Sequence, residues 1–324
     1  MQSWNITKNK TIELIQTEQQ DVNLREFARV KIARASLCAS DIAIYNGKLG
    51  ELPIVPSRSA LGVISESKDK ALSKGQRVYL SPYIKKENEL YDVKGRNLDG
   101  YLSDFAVVPV DNVYIVPESI PDESFTFIEE IAMAIKTCSL LKIKPTQYIT
   151  LIGATAFNMI LGQFALYYQA IPIIIDKSDA ALEIAEQHGI YYTINTEKEN
   201  VTDRIVEITS GNLTENLIID VDIIRDLDQD ILSIVSQNGK IGFVGYNTSL
   251  GKMPIDSHFI ISKRLSIYGI NDGIGEIESA INMLATDVVK VEDLLDKMYD
   301  FSEVNTVFKK LASSPIRLKT IIRC

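Results

Sequence analysis

The chain has 324 residues, 46% hydrophobic and 24% charged, with a formal net charge of -9, which is enough length and apolar content for two domain cores. An acidic balance without a sustained Lys/Arg stripe excludes a general nucleic-acid binder, whose phosphate affinity needs clustered cations. Its three cysteines, Cys38, Cys138 and Cys324, are odd in number, widely spaced and without paired metal-ligand spacing, which argues against a disulfide framework.

The polar start, residues 1–10, runs directly into a strand-like segment at 11–16, so it lacks the pattern of a secretory signal. The apolar run at 171–175 is far shorter than a membrane span requires. A cytoplasmic location with no membrane partner is the expectation. The first third then alternates short apolar runs with turn residues, at 27–35, 60–66, 75–80 and 105–109. Period-two runs bounded by Gly, Pro and Asp predict an all-β unit.

From about Pro121 the texture changes. A helical pattern covers 128–141, followed by a strand at 148–153, a helix at 159–168, a strand at 172–176 and a helix at 180–188. Further strands are expected at 216–220, 240–245 and 265–269. Strand and helix alternating at this spacing predict a doubly wound parallel sheet covered on both faces, an α/β fold. There is no internal repeat.

Four segments occur in a telling order: Leu37-Cys38-Ala39-Ser40-Asp41, Ser57-Arg58-Ser59-Ala60-Leu61-Gly62, the Gly75-Gln76-Arg77-Val78 turn, and Asp99-Gly100-Tyr101 leading into residues 102–109. Together they resemble the catalytic half of the zinc-type alcohol and polyol dehydrogenases of the medium-chain dehydrogenase/reductase superfamily. The resemblance extends from about Thr11 to the C-terminus. It implies a β-rich, GroES-like (chaperonin-10-like) catalytic domain at 1–124, a Rossmann NAD(P)-binding domain at 125–269, and a segment at 270–324 that returns to the catalytic domain. The implied activity is hydride transfer between NAD(H) and a small polar carbonyl or hydroxy compound, by a homodimer or homotetramer.

The departures are as informative as the match. The family's first segment usually reads Cys-Gly-Ser/Thr-Asp and its second usually carries Gly-His-Glu, where this chain has Ser57-Arg58-Ser59. By resemblance, Cys38 stands at the first catalytic zinc ligand, Ser40 at the proton-relay hydroxyl, Asp41 at an acidic neighbour, Arg58 at the ligand histidine and Glu130 at the glutamate near the metal in polyol dehydrogenases. An arginine does not deprotonate and cannot ligate zinc. The four closely spaced cysteines of the structural-zinc lobe are also missing from residues 81–98, so the expectation is an enzyme with neither zinc. Two readings of Arg58 stand side by side: an ion pair with Asp41 and Glu130 that props up the old metal pocket, or a group that polarises a substrate carbonyl while Ser40 moves the proton. A third keeps zinc through Cys38, Glu130 and an unrecognised ligand. Cys38 itself reads as a buried inert thiol or as a nucleophile activated by Arg58.

In the second domain the turn Gly153-Ala154-Thr155-Ala156-Phe157-Asn158 keeps only the first glycine of Gly-x-Gly-x-x-Gly. Thr155 adds a side chain where backbone approaches phosphate, and Asn158 adds bulk where helix meets strand. Asp176 closes the next strand 23 positions after Gly153, placed to accept hydrogen bonds from the adenosine ribose, which favours NAD over NADP; Lys177 follows it. The alternative makes Asp176 an ordinary strand end or the N-cap of the next helix. By resemblance, residues 239–245 match the family strand that ends beside the nicotinamide, so Gly245 is expected to line the cofactor; the alternative is a plain buried strand ending at a glycine turn. His188 reads as a helix end and His258 as part of a connector. Two degraded sites in one chain also support a rival reading, a catalytically silent relative acting as a ligand-binding or assembly protein.

Overall fold

A computed structural model describes the chain except for residues 19–21, 87–90, 224–228, 246–255 and 314–316. It divides into two units, one formed by Met1–Glu129 with Ile277–Cys324 and the other by Glu130–Glu276.

The first unit opens with β1 (Gln2–Ile6) and β2 (Ile12–Gln16), an antiparallel pair. The polar start is therefore a strand, because Trp4 and Ile6 are buried and their N–H groups donate to Leu102 O (3.0 Å) and Ile54 O (2.8 Å). There follow β3 (Phe27–Leu37), α1 (Ala39–Tyr45), β4 (Ala60–Glu66) and β5 (Arg77–Leu80). The lobe without cysteines carries a small antiparallel pair, β6 (Tyr83–Lys85) and β7 (Tyr91–Val93), and is succeeded by β8 (Phe105–Pro109) and β9 (Val113–Ile115). In β3 the alternation is regular. Ala28, Val30 and Ile32 turn into the core, as a half-buried strand requires.

The helix α2 (Ile128–Leu141) carries the chain into the second unit. There it forms β10 (Tyr148–Ile152), α3 (Ala156–Tyr167), β11 (Ile171–Asp176), α4 (Asp179–Gln187), β12 (Tyr192–Asn195), α5 (Val201–Ile208), β13 (Thr214–Asp220), β14 (Val235–Val244), α6 (Ser257–Lys263) and β15 (Ser266–Ile270). The sheet order is β12-β11-β10-β13-β14-β15, with every pairing parallel. Strand order reverses between β10 and β13, the topological switch point at which open α/β sheets bind ligands. His188 caps the end of α4 with Nδ1 2.9 Å from Ile184 O. His258, expected in a connector, instead sits in the first turn of α6, its N–H donating to the cap residue Asp256.

The chain then returns through α7 (Ile277–Ala285), β16 (Leu295–Asp300), α8 (Val304–Leu311) and β17 (Lys319–Arg323). Antiparallel pairing of β17 with β3 brings Thr320 opposite Leu37. This completes the sheet order β16-β17-β3-β4-β5-β9, with β8 also paired to β3. Among the described residues no helix is long and apolar enough to cross a membrane.

Candidate active site

Three of the sequence landmarks form one local structure in the first unit. Where β3 ends, Cys38 is extended and caps α1, and Asp41 falls in that helix's first turn. Asp41 Oδ2 accepts from Cys38 N (2.9 Å) and from the Cys38 thiol (3.2 Å), while Oδ1 accepts from Ser57 N (2.7 Å). Ser57 has φ +75°, a left-handed backbone that suits the glycine usual at this position in the family. The segment is clamped from its other side by N–H donors of Gly100 to Val55 O (2.7 Å), Tyr101 to Ser57 O (2.9 Å) and Leu102 to Pro56 O (3.1 Å), and by Asp99 Oδ1 accepting from Val55 N (2.9 Å). Gly100 is required there, since a Cβ would lie 2.2 Å from Ser57 O.

This frame holds Arg58, only 1% exposed, in an ion pair with the buried carboxylate of Glu129. The same Nη2 donates to Tyr83 Oη (3.3 Å), and the Tyr83 hydroxyl donates to Glu129 Oε1 (2.7 Å). Burial works to raise the Glu129 carboxyl, but the charges of Arg58 and Lys319 and the bonds from Tyr83 and Arg58 outweigh it, holding the group below the usual carboxylate range. Lys319, buried at the start of β17, precedes the Thr320 that pairs with Leu37. Cys38 has Ser40 Oγ 3.0 Å from its sulfur. Burial, reinforced by Asp41, pushes the Cys38 thiol up to about 12, so it is a protonated donor at neutral pH and not an activated nucleophile. Burial likewise raises Asp41, against the bonds it accepts and the charge of Arg58.

Cys38, Ser40, Asp41 and Arg58 are thus brought together. Glu129, Tyr83 and Lys319 complete the cluster and were not singled out from sequence. Glu129 and Glu130 are adjacent acids at the start of one helical pattern, which periodicity alone does not tell apart. Glu130 falls in the second unit, where its charge acts on Asp220.

At the switch point Gly153 follows β10 with φ +101°, and a Cβ there would lie 2.3 Å from Ile223 Cδ1. Thr155 caps α3 by accepting from Asn158 N (3.2 Å), and its hydroxyl donates to Asp220 Oδ2 at the end of β13 (2.8 Å). The Asn158 amide donates to Ile152 O (3.0 Å) and Gly153 O (2.8 Å), so the expected bulk is turned into a latch across the turn. Among the described residues the N–H groups of Ala156 and Phe157 have no acceptor, which leaves the helix end able to receive an anion. Asp176, 6% exposed, accepts from Ala154 N and Ser178 N, each at 2.9 Å. It is not the cap of α4, a role taken by Ser178. Lys177 is exposed beside it. Gly245 closes β14 with φ +123°, and a Cβ would fall 2.9 Å from the Asp222 carboxyl.

Asp220 is the most perturbed acid of this turn. Burial, with the charges of Asp222 and Glu130, raises it from 3.8 to about 7, against the bonds it accepts from Thr155 and Asp222 N. Because the folded value lies above the unfolded one, its ionisation costs nothing below pH 4, destabilises progressively as pH rises from 4 to 7, and exacts its full cost above 7. Asp220→Asn keeps an acceptor for Thr155 without the charge. It is expected to be more stable than wild type at pH 8 by about 2–4 kcal/mol, an advantage vanishing near pH 4; equal urea midpoints at pH 8 would contradict this.

Comparison with known proteins agrees with this architecture. Residues 25–118 match the model of the alcohol dehydrogenase GroES-like domain, and residues 159–286 that of the zinc-binding dehydrogenases. An uncharacterised zinc-type alcohol dehydrogenase-like protein of Haemophilus influenzae is 27% identical over 303 residues, 88% of each chain. The sorbitol dehydrogenase of Bacillus subtilis is 23% identical over 317 residues, 90% of this chain and 87% of that one. The crystal structure of the alcohol dehydrogenase rspB from E. coli CFT073, complexed with NADH, superposes with a TM-score of 0.89 at 22% identity, covering 100% of this chain and 99% of that one. With both domain models matched in order, and with a parallel Rossmann sheet in the second unit, the chain belongs to the medium-chain dehydrogenase/reductase superfamily of NAD(P)-dependent oxidoreductases.

Proposed function

We propose that the chain is a zinc-independent oxidoreductase that transfers hydride between NAD(H) and a small polar carbonyl or hydroxy compound. The observation that carries this reading is the Arg58–Glu129–Tyr83 network, built on the arginine that stands at the histidine of the family's Gly-His-Glu. The donors there do not fit zinc. A guanidinium does not ligate, and the Glu129 carboxylate is engaged by Arg58 and Tyr83. Among the described residues no three His, Cys, Asp or Glu side chains are grouped to hold a metal ion.

When bound, the nicotinamide ring supplies or accepts the hydride. Reduction of a carbonyl builds negative charge on its oxygen, and fixed positive charge at Arg58 and Lys319 stabilises that charge without a metal. Ser40 is the proton carrier, its hydroxyl linked through the Cys38 sulfur to Asp41. Cys38 holds Asp41 through its thiol hydrogen bond and does not attack. Glu129 holds the guanidinium in place, and the site favours reduction over alcohol oxidation, which needs an effective base. Gly153 and Thr155 in the turn after β10, with Gly245 at the end of β14, would hold the nucleotide, and Asp176, followed by Lys177, would meet its adenosine ribose, the carboxylate favouring NAD over the 2′-phosphate of NADP.

Titration with NADH and NADPH, followed by nicotinamide fluorescence, tests this before any substrate is known. Saturable NADH binding, about tenfold tighter than NADPH, supports it and opens a screen of polar carbonyls comparing wild type with Ser40→Ala. No binding of either nucleotide would instead support the silent relative.

We further propose a homodimer built on the outer edge of the parallel sheet. β15 is its terminal strand, α6 has no buried residue, and Ile261 and Ile267 are 73% and 40% exposed. A terminal strand edge with apolar neighbours can pair with another chain. Light scattering should give a dimer for wild type and a monomer for Ile261→Asp/Ile267→Lys; a wild-type monomer at micromolar concentration would end the proposal.

A further inference from the structure

Thr155 occupies the second glycine position of the cofactor turn, where a side chain can compete with phosphate for the first N–H groups of α3. Here that side chain is tied at both ends of its hydroxyl. The oxygen accepts from Asn158 N, and the proton is given to Asp220 Oδ2 at the end of the neighbouring strand β13. Asp220 is in turn fixed by Asp222 N, which donates to its other oxygen at 3.0 Å. Both side chains are buried, Thr155 4% and Asp220 6% exposed. A buried hydroxyl with one donor and one acceptor partner has a single orientation. In that orientation it takes the N–H of Asn158, and those of Ala156 and Phe157 have no acceptor among the described residues.

We infer that Asp220 is a positioning residue for the nicotinamide nucleotide: by accepting the Thr155 hydroxyl it locks that side chain in the one rotamer that leaves the α3 N-terminus open to the pyrophosphate. The inference rests on the nucleotide-binding reading above and explains how a turn with one glycine of three can serve it. Asp220 acts here through its acceptor oxygen and not through its charge, and the two contributions have opposite signs. A carboxylate beside the turn repels a pyrophosphate, so removing its charge alone should tighten binding.

The test is the NADH dissociation constant of four proteins, read by nicotinamide fluorescence, with the melting temperature of each apo form as a check on folding. Asp220→Asn keeps the acceptor and should bind as tightly as wild type or tighter. Asp220→Ala frees the Thr155 side chain and should bind about tenfold more weakly, although it has lost the repelling charge. Thr155→Gly in the Asp220→Ala background should restore binding to within about threefold of wild type, because no side chain is left to hold and glycine is well tolerated at an N-cap. A merely structural role for Asp220 would not be rescued by deleting a second side chain. Unchanged binding by Asp220→Ala, or failure of Thr155→Gly to restore it in a folded double variant, overturns the inference while leaving nucleotide binding intact. Absence of NADH and NADPH binding by wild type overturns both.

Discussion

Arg58→Ala is expected to destabilise the protein by about 3–5 kcal/mol, because it deprives the Glu129 carboxylate, 5% exposed, of its paired guanidinium. The bond from Tyr83 and the weaker influence of Lys319 remain but do not replace that pair. Denaturant unfolding near pH 7 measures this directly. Glu129 is held below the usual carboxylate range in the wild type, so the stabilisation it gains is complete above that range and is lost only as pH falls through its depressed value. The double variant Arg58→Met/Glu129→Leu removes both charges and should recover most of the loss, as apolar replacements of buried pairs commonly do. It should nevertheless lose most reductase activity, since the guanidinium donor is gone and only Lys319 remains to meet the developing charge. A single Arg58→Ala variant within about 1 kcal/mol of wild type, the range of an exposed pair, would show that the pair is not buried as described.

Gly100→Ala is expected to cost about 3 kcal/mol or more in stability, at or above the upper end of ordinary overpacking. Its Cβ would meet backbone and not a yielding side chain, at 2.2 Å from Ser57 O and 2.4 Å from Pro56 O. Those carbonyls accept the N–H groups of Tyr101 and Leu102, so the strain falls on the segment that presents Arg58. Activity should fall with stability, and both can be read on one preparation. Gly75→Ala serves as the control: its Cβ would meet nothing within 4 Å, leaving only the strain of φ +87°, about 1 kcal/mol. Equal losses in the two variants would remove the special role given to Gly100.

The alternation of strand and helix after Pro121 was legible because each element carries its own period, and α2 spans the residues its pattern indicated, Ile128–Leu141. β1 was not legible. Its residues are polar in composition, and its partners, Leu102 and Ile54, lie far along the chain. The same division holds at the candidate site. Cys38, Ser40, Asp41 and Arg58 sit in local motifs with recognisable spacing, whereas Tyr83 and Lys319 join them only through the paths of the lobe and of β17. Glu129 was hidden by its neighbour, since one position along a helix turns a side chain by 100°. Thr155 and Asn158 read as losses of glycine, and only the positions of Asp220, Ile152 and Gly153 show them to be bonded parts of the turn. Sequence showed what these positions had lost; the contacts that compensate are tertiary.

The central claim is that hydride transfer here proceeds with the Arg58–Glu129 pair in the place of zinc. Its most direct test is NADH-dependent reduction of a polar carbonyl by protein whose metal content is measured before and after dialysis against a strong zinc chelator. The account predicts far less than one zinc per chain and a rate unchanged by chelation or by added Zn²⁺. One zinc per chain, with activity lost on its removal and regained on its return, would contradict it.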